Sequence, residues 1–255
     1  MPSFQSDGLK ITYDDIGEGD PVLLLHGFAA DRLSNWKLTG WYRLLSKSGF
    51  RVIAADARGH GRSDKPTDPE AYAPEGVAGD AVRLLDHLEL ESADVFGYSM
   101  GGRNAAWLLT AYADRIRSAV VAGAGINVLA KRDAARWQKR GYKLTGDNAK
   151  TESLAVPAMV PLYKSATRFG GLAGSLSACL LGSFAGLPAK LFAEVDVPTL
   201  VIAGSRDKVA GSPIPLAGSI PGARAVVVPG RSHLSVISDA FFKGAVMGFL
   251  GDRRR

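Results

Sequence analysis

The chain has 255 residues, of which 46% are hydrophobic and 22% are charged, and its formal net charge is +6. This length and composition exclude a disordered chain and predict one folded domain with a full hydrophobic core. The sequence pI is about 9.5, yet the basic residues are spread along the chain and accompany no nucleic-acid-binding motif. We therefore predict no nucleic-acid partner.

The first half of the chain alternates between strand and helix patterns. Residues Leu9 to Ile16 alternate as in an antiparallel-type strand, and a glycine-rich turn then leads into the apolar run Val22 to Leu25. The other elements predicted here are a helix around 36–47, a strand at 51–55, a helix around 78–88 and strands at 92–96 and 119–122. Strands that alternate with helices predict a parallel sheet covered by helices.

The pentapeptide Gly97-Tyr98-Ser99-Met100-Gly101 stands between a predicted strand and a predicted helix. A serine at so sharp a turn has strained backbone geometry, and glycines two residues away leave room for the adjoining strand and helix. This arrangement exposes the serine oxygen and is known as the nucleophile elbow. The pattern predicts that Ser99 is a nucleophile.

A serine nucleophile needs a histidine base, which a carboxylate must orient. His233 follows an apolar run and a turn, so it is expected on a loop beyond a strand, and Asp207 follows the predicted buried strand at 198–203. We predict His233 as the base and Asp207 as its orienting acid; a surface histidine and a turn aspartate are the alternatives. Three other histidines have local structural explanations: His26, His60 and His87.

Backbone amides that stabilise the oxyanion of a tetrahedral intermediate are expected at two positions. Met100 follows the nucleophile at a helix N-terminus, and Phe28 follows a strand and the pair His26-Gly27. We predict that the amides of Phe28 and Met100 form the oxyanion hole, with Ala29 as the alternative to Phe28. The side chains of Phe28 and Met100 are also expected to line the substrate pocket.

Several motifs follow one another along the chain: His26-Gly27-Phe28, the run from Asp56 to Asp64, the elbow with its following glycine, Asp207 and His233. Together they resemble the α/β-hydrolase superfamily, in particular its serine carboxylesterases, over nearly the whole chain. The order Ser, Asp, His is the one that this fold uses. The resemblance implies an α/β fold: a mostly parallel eight-stranded sheet flanked by helices, with a helical lid inserted after the sixth strand.

The alternation stops between 124 and 195, so we predict this segment as the lid, or cap, and 1–123 with 196–255 as the hydrolase core. Basic residues at helical spacing between 131 and 143 indicate a solvated helix face; attraction of anions or a membrane surface is the alternative. The uncharged stretch 169–189 is rich in glycine and serine, which favours a lid helix over a membrane span. Three lid residues are predicted to contact substrate: Trp137, Leu180 and Phe184.

The sequence has no cluster of cysteines and histidines at metal-ligand spacing, no phosphate-binding loop and no dinucleotide-binding glycine motif. We therefore predict no metal and no cofactor. Residues Met1 to Asp7 lack a secretory signal pattern, and the single cysteine, Cys179, excludes an intramolecular disulfide, so a cytoplasmic location is expected. Nothing in the sequence predicts the oligomeric state.

These residues predict a serine hydrolase that cleaves carboxylic esters of small to medium acyl chains through an acyl-enzyme, with a small-molecule ester as substrate. Ser99 argues against the related epoxide hydrolases and haloalkane dehalogenases, which have an aspartate at the elbow. Alternatives that keep the serine are perhydrolases of the cofactor-free haloperoxidase type, lactone hydrolases and carbon-carbon bond hydrolases. A non-catalytic ligand receptor on the same fold is a further alternative.

Overall fold

Eight strands form one sheet in the computed structural model, which describes residues 1–129, 173–183 and 186–252. The strands are β1 (Ser3–Ser6), β2 (Leu9–Ile16), β3 (Asp20–Leu25), β4 (Phe50–Ala55), β5 (Ala93–Tyr98), β6 (Ile116–Ala122), β7 (Thr199–Gly204) and β8 (Arg224–Val228). Their order is β1-β2-β4-β3-β5-β6-β7-β8. Both β1 and β4 pair antiparallel with β2, and the other neighbouring pairs are parallel. The predicted sheet is thereby confirmed.

Helices connect most of the parallel strands. The α-helices in the described ranges are α1 (Trp41–Lys47), α2 (Pro74–His87), α3 (Met100–Ala111), α4 (Ile126–Leu129), α5 (Ala173–Gly182), α6 (Ile214–Ala217) and α7 (Ala240–Asp252). Shorter elements are a π-helical turn at Leu33–Lys37 and 3-10 turns at Pro69–Tyr72, Ala113–Arg115 and Ala189–Phe192.

Two hydrophobic clusters cover the two faces of the sheet. One includes Leu84 of α2 and Leu108 of α3, and the other includes Leu45 of α1 and Phe242 of α7. All residues of β5 and of β7 are buried, and apart from Asp94, which accepts hydrogen bonds from Arg117 and Ser118, and Thr199 at the start of β7, the two strands are apolar. Burial on both faces fixes the positions of the strand ends, where the loops of the candidate site begin.

Three differences between the predicted elements and the structure have a physical reason. The helix expected over 36–47 is interrupted, because Gly40 has a φ of 84° and α1 begins only at Trp41. Helix α2 begins at Pro74, before the predicted Ala78, since proline is favoured in the first helical turn. Strand β1 was not predicted, because its four residues are too few to establish a period.

The segment between β6 and β7 contains α4, α5 and the last 3-10 turn in its described part. Helix α5 falls within the stretch where a lid helix is predicted, and it packs against the 3-10 turn at Pro69–Tyr72. Trp137, Phe184 and the basic residues at 131–143 lie outside the described residues. Within the described ranges, no helix combines the length and the apolar character needed to cross a membrane.

Candidate active site

Ser99 lies between the end of β5 and the start of α3. Its backbone has φ 58° and ψ −110°, a conformation that residues other than glycine rarely adopt. The Ser99 amide donates a hydrogen bond to the Ala122 carbonyl in β6 (2.8 Å), and the Ser99 carbonyl accepts one from the Arg103 amide in α3 (3.0 Å). The sheet and the helix therefore both hold the strained turn that carries the serine hydroxyl.

The two glycines of the elbow are required by close backbone contacts. A Cβ on Gly97 would overlap the Gly101 carbonyl, and a Cβ on Gly101 would overlap the Leu25 carbonyl at the end of β3. Only glycine lets the first turn of α3 approach β3 and β5 this closely. This confirms the steric reason that the sequence suggests for glycine at both positions.

Side chains from the loops after β5, β7 and β8 form one hydrogen-bonded chain. The Ser99 Oγ is 2.8 Å from His233 Nε2, and His233 Nδ1 is 2.8 Å from Asp207 Oδ2. His233 and Asp207 are only 6% and 5% exposed. The structure thus brings together the three residues predicted as nucleophile, base and orienting acid.

Backbone hydrogen bonds determine how Asp207 is oriented. Its Oδ1 accepts from the amides of Val209 (3.0 Å) and Ala210 (2.9 Å), which leaves Oδ2 facing the imidazole. Because an ionised carboxylate only accepts hydrogen bonds, the proton is assigned to His233 Nδ1, and the Nε2 lone pair faces Ser99. In this tautomer the imidazole can accept the serine proton.

Tyr98 links the nucleophile turn to the histidine loop. Its hydroxyl donates a hydrogen bond to the backbone carbonyl of His233, and the centroids of the two rings are 5.6 Å apart. Burial raises the pKa of Tyr98, so the phenol stays protonated and remains a donor. Sequence reasoning did not identify this residue, although its place beside Ser99 in the elbow motif was a possible indication.

Hydrogen bonds of His26 orient the peptide group that precedes Phe28. The Ala57 amide donates to His26 Nε2 (2.9 Å), so the His26 proton is on Nδ1, which donates to the Gly27 carbonyl (2.8 Å). In a trans peptide the N–H points opposite to the C=O. The Phe28 amide is therefore directed away from His26, and the Asn35 side chain fixes the same loop by accepting from the Gly27 amide (3.0 Å).

The neutral ring of His60 packs beside this loop. Its ring centroid is 5.2 Å from that of His26 and 5.7 Å from that of Phe28. Burial, together with the nearby His26, lowers the pKa of His60 to about 3. His60 therefore acts as an uncharged packing residue, which agrees with the structural explanation predicted for it.

Two cavities meet at Ser99 and Phe28, which line both of them. The first, named here the Met100 cavity, has a volume of about 580 Å³ including its mouth and is also lined by Met100, Leu180 and Val209. The second, named the Leu234 cavity, has a volume of about 720 Å³ on the same basis, and its walls include His233, Leu234 and Ile237.

Three of the residues predicted to contact substrate line these cavities: Phe28, Met100 and Leu180. Trp137 and Phe184 lie outside the described residues. Sequence reasoning missed other wall residues, among them Val209 and Ile237, because no motif marks a residue whose place depends on how separate loops pack.

Residues 20–159 match the family described as alpha/beta hydrolase fold. The chain belongs to the alpha/beta hydrolase family. Among curated relatives of this alpha/beta hydrolase, 3-oxoadipate enol-lactonase 2 of Acinetobacter baylyi is 28% identical over 215 residues, 79% of this chain and 77% of that protein. Epoxide hydrolase 3 of Siraitia grosvenorii is 35% identical over 118 residues, and the match spans only 36% of that protein and 46% of this chain.

A solved structure resembles the alpha/beta hydrolase over almost its whole length. The enol-lactonase from Burkholderia xenovorans LB400 has a TM-score of 0.82 and 28% sequence identity, and the match covers 98% of this chain and 100% of that one. The comparisons support a hydrolase, and they include proteins named for different substrates.

Proposed function

We propose that this alpha/beta hydrolase is a serine hydrolase that cleaves carboxylic esters with small to medium acyl chains. The observation that carries the proposal is the chain of two 2.8 Å hydrogen bonds from Ser99 through His233 to Asp207. A serine hydroxyl is a weak nucleophile, so serine catalysis requires a base for the serine and a carboxylate that orients the base. In this chain of hydrogen bonds, His233 is the base for Ser99 and Asp207 is the orienting carboxylate.

In the acylation step, Ser99 Oγ attacks the ester carbonyl carbon while its proton passes to His233 Nε2. The carbonyl oxygen becomes an oxyanion, which accepts hydrogen bonds from the amides of Phe28 and Met100. The intermediate then expels the alcohol oxygen, which takes the proton from His233. The products of this half-reaction are the free alcohol and the acylated Ser99.

In the deacylation step, His233 removes a proton from a water molecule, whose oxygen attacks the acyl carbon. The same two amides stabilise the second oxyanion. When the bond to Ser99 Oγ breaks, the serine oxygen recovers the proton from His233, and the carboxylic acid leaves. Asp207 remains ionised throughout and stabilises the imidazolium in both steps.

The serine separates this proposal from epoxide hydrolysis, although several curated relatives are named epoxide hydrolases. Attack of a serine oxygen on an epoxide would form an alkyl ether, which water does not hydrolyse as it does an ester. A carboxylate nucleophile instead forms an ester with the opened epoxide, and water can hydrolyse that ester. Ser99 therefore favours substrates with an acyl carbon.

Lactone hydrolysis is the second candidate, because the similarity to an enol-lactonase structure extends over 98% of this chain. A lactone is an internal ester, so it needs the same nucleophile, base and oxyanion donors. The difference is that the leaving oxygen stays attached to the acyl group. The preference for open or cyclic esters then depends on the shape of the cavities.

We propose in addition that residues 124–195 form a lid over this site. Support comes from Leu180 of α5, which lines the Met100 cavity beside Ser99. Helix α5 reaches this position by packing on the 3-10 turn at Pro69–Tyr72 of the core. In this arrangement the lid shapes the cavity and the core supplies the reacting groups.

The test is steady-state hydrolysis of p-nitrophenyl esters from acetate to dodecanoate by the wild type and by Ser99→Ala. We expect the variant to lose turnover by roughly 10⁴-fold or more, with an unchanged thermal unfolding midpoint. Ser48→Ala, at the end of α1, is the matched control and should keep wild-type rates. A wild type that hydrolyses enol lactones and no open ester would favour the second candidate; ordinary turnover by Ser99→Ala would contradict both.

A further inference from the structure

The turn at residues 27–30, named here the Phe28 turn, has an uncommon backbone. Phe28 and Ala29 are its two central residues, and the Ala30 amide closes it by donating a hydrogen bond to the Gly27 carbonyl (3.2 Å). Ala29 has a φ of 58°, in the left-handed region, and a turn with a positive φ at its third residue usually has glycine or asparagine there. Alanine keeps such a conformation only where the surrounding structure holds it.

Ala29 packs in a cluster of buried apolar side chains to which helix α5 contributes most members. This group, named here the α5 cluster, is separate from the two clusters on the faces of the sheet. Its members are Phe28, Ala29, Tyr72, Leu176, Ala178, Cys179 and Leu180, and Met100 packs against them. The α5 cluster therefore joins both predicted oxyanion residues to the lid helix.

Helix α5 is fixed to the core near both of its ends. Near its start, the Ser175 hydroxyl donates a hydrogen bond to the Gly59 carbonyl (3.3 Å). At its end, a Cβ on Gly182 would overlap the Pro69 carbonyl, so the helix lies directly against the backbone of the 3-10 turn at Pro69–Tyr72. Because these attachments do not involve the Phe28 turn, α5 can support that turn as an independent element.

We infer that Leu176 of α5 is a positioning residue: through the α5 cluster it holds Ala29 in its left-handed conformation and so directs the Phe28 amide at the oxyanion. This inference rests on the proposed function and gives the lid helix a part in forming the oxyanion hole. Leu176 has no exposed surface, and it is not among the described residues that line the Met100 cavity or the Leu234 cavity. Its effect on the reaction must therefore pass through the residues with which it packs.

The two steps of the proposed reaction both form an oxyanion, so both depend on the direction of the Phe28 amide. If Ala29 relaxes to a negative φ, the loop that carries this amide changes its course. The ground-state ester does not yet carry the negative charge, so its binding changes little. Loss of the support should therefore lower kcat and the affinity for a tetrahedral analogue, and leave KM nearly constant.

The first experiment compares Leu176→Ala with the wild type. We expect kcat for p-nitrophenyl butyrate to fall about tenfold while KM stays within about twofold, and an alkylboronic acid to bind about tenfold more weakly. Leu84→Ala in α2 is the matched control, since Leu84 is equally buried in a cluster on one face of the sheet. The control should keep the wild-type kcat and boronate affinity.

The second experiment repeats Leu176→Ala in a chain that carries Ala29→Gly. Glycine adopts a φ of 58° without a steric cost, so the turn then needs less support from α5. In this background Leu176→Ala should lower kcat less than about threefold. In a chain with Ala30→Gly, whose position has no positive φ, Leu176→Ala should still lower kcat about tenfold.

An equal loss of kcat in all three backgrounds would overturn the inference, because a merely structural role of Leu176 does not depend on Ala29. A wild-type kcat and boronate affinity in folded Leu176→Ala would also overturn it. Circular dichroism establishes folding, and Leu176→Val replaces Leu176→Ala if that variant does not fold. Failure of the proposed function is visible in the wild type alone, as an absence of Ser99-dependent ester turnover, and it would overturn this inference as well.

Discussion

The hydroxyl of Tyr98 donates a hydrogen bond to the backbone carbonyl of His233, so the residue before the candidate nucleophile holds the loop of the candidate base. Tyr98 is itself fixed in β5, where all residues are buried. This contact uses the backbone of His233, so it helps to hold the imidazole 2.8 Å from Ser99 Oγ without involving either reacting side chain. Removing this contact should weaken the alignment without removing any catalytic atom.

Tyr98→Phe deletes the hydrogen bond and keeps the ring. We expect kcat to fall about tenfold at nearly constant KM, because the base is less well aligned, and the free energy of unfolding to fall by about 1 kcal/mol. Steady-state kinetics and urea unfolding measure the two effects. Tyr112→Phe, which removes a hydroxyl at the end of α3, is the control. A wild-type kcat in Tyr98→Phe would show that the contact does not position His233.

Asp207→Asn should lower kcat by roughly 10³- to 10⁴-fold. The amides of Val209 and Ala210 hold Oδ1, so the new Nδ2 would take the place of Oδ2 and donate to His233 Nδ1. The imidazole proton would then move to Nε2, which could no longer accept from Ser99. Asp252→Asn, an exposed change in α7, is the matched control. A drop of less than about tenfold would argue against Asp207 as the orienting acid.

His26→Ala should lower kcat by roughly 10- to 100-fold and change KM little, because the Gly27–Phe28 peptide loses the hydrogen bond that orients it. An alkylboronic acid, which forms a tetrahedral adduct with serine, should bind more weakly by a similar factor. His87→Gln in α2 is the control. If His26→Ala lowers the free energy of unfolding but leaves the boronate affinity unchanged, His26 has only a structural role.

Met100→Ala should shift the acyl preference toward longer chains. The Met100 side chain lies in the walls of two cavities, the Met100 cavity and a neighbouring one of about 380 Å³ that Trp107 and Cys179 also line. Its removal joins the two spaces and leaves the Met100 amide in place. We expect the dodecanoate-to-butyrate ratio of kcat/KM to rise about tenfold. Met247→Ala in α7 should leave this ratio unchanged; a constant ratio in Met100→Ala would contradict the prediction.

His60 should make the protein less stable in acid. Its pKa is about 3 in the folded chain and 6.5 ordinarily, so between these values the unfolded chain binds a proton that the folded chain does not. The free energy of unfolding therefore falls as pH falls through this window, by at most about 1.4 kcal/mol per pH unit. Urea unfolding measures the free energy of unfolding at pH 7 and at pH 5. The decrease between these two pH values should be smaller for His60→Gln than for the wild type. An equal decrease in both proteins would contradict the prediction.

The sequence predicted the sheet and the three residues that meet at its edge, because each has a local indication. Ser99 stands in a short motif, and Asp207 and His233 each follow an apolar strand. The contact between Tyr98 and His233 joins residues that are 135 positions apart, so no local pattern reveals it. The break at Gly40 was not predicted for a different reason. Hydrophobic residues continue at helical spacing on both sides of Gly40, and the break is visible only in the backbone angle of this residue.

The two cavities were beyond prediction for a physical reason. Val209, Leu180 and Ile237 come from three distant segments, and their common position depends on loop packing that composition and periodicity do not determine. A motif fixes the reacting groups because chemistry restricts them to a few residue types. Wall residues have no such restriction.

Strands β6 and β7 are hydrogen-bonded neighbours, with Ala122 opposite Ile202, although a long segment of chain separates them in the sequence. The connection has to span only one step across the sheet, and the entropy of closing a loop rises slowly with its length. The connection can therefore change in length while the sheet keeps its register, provided that its core residues, such as Phe192 and Val195, are kept. Changes of length in this connection therefore leave Ser99, Asp207 and His233 in place, because all three residues lie outside it.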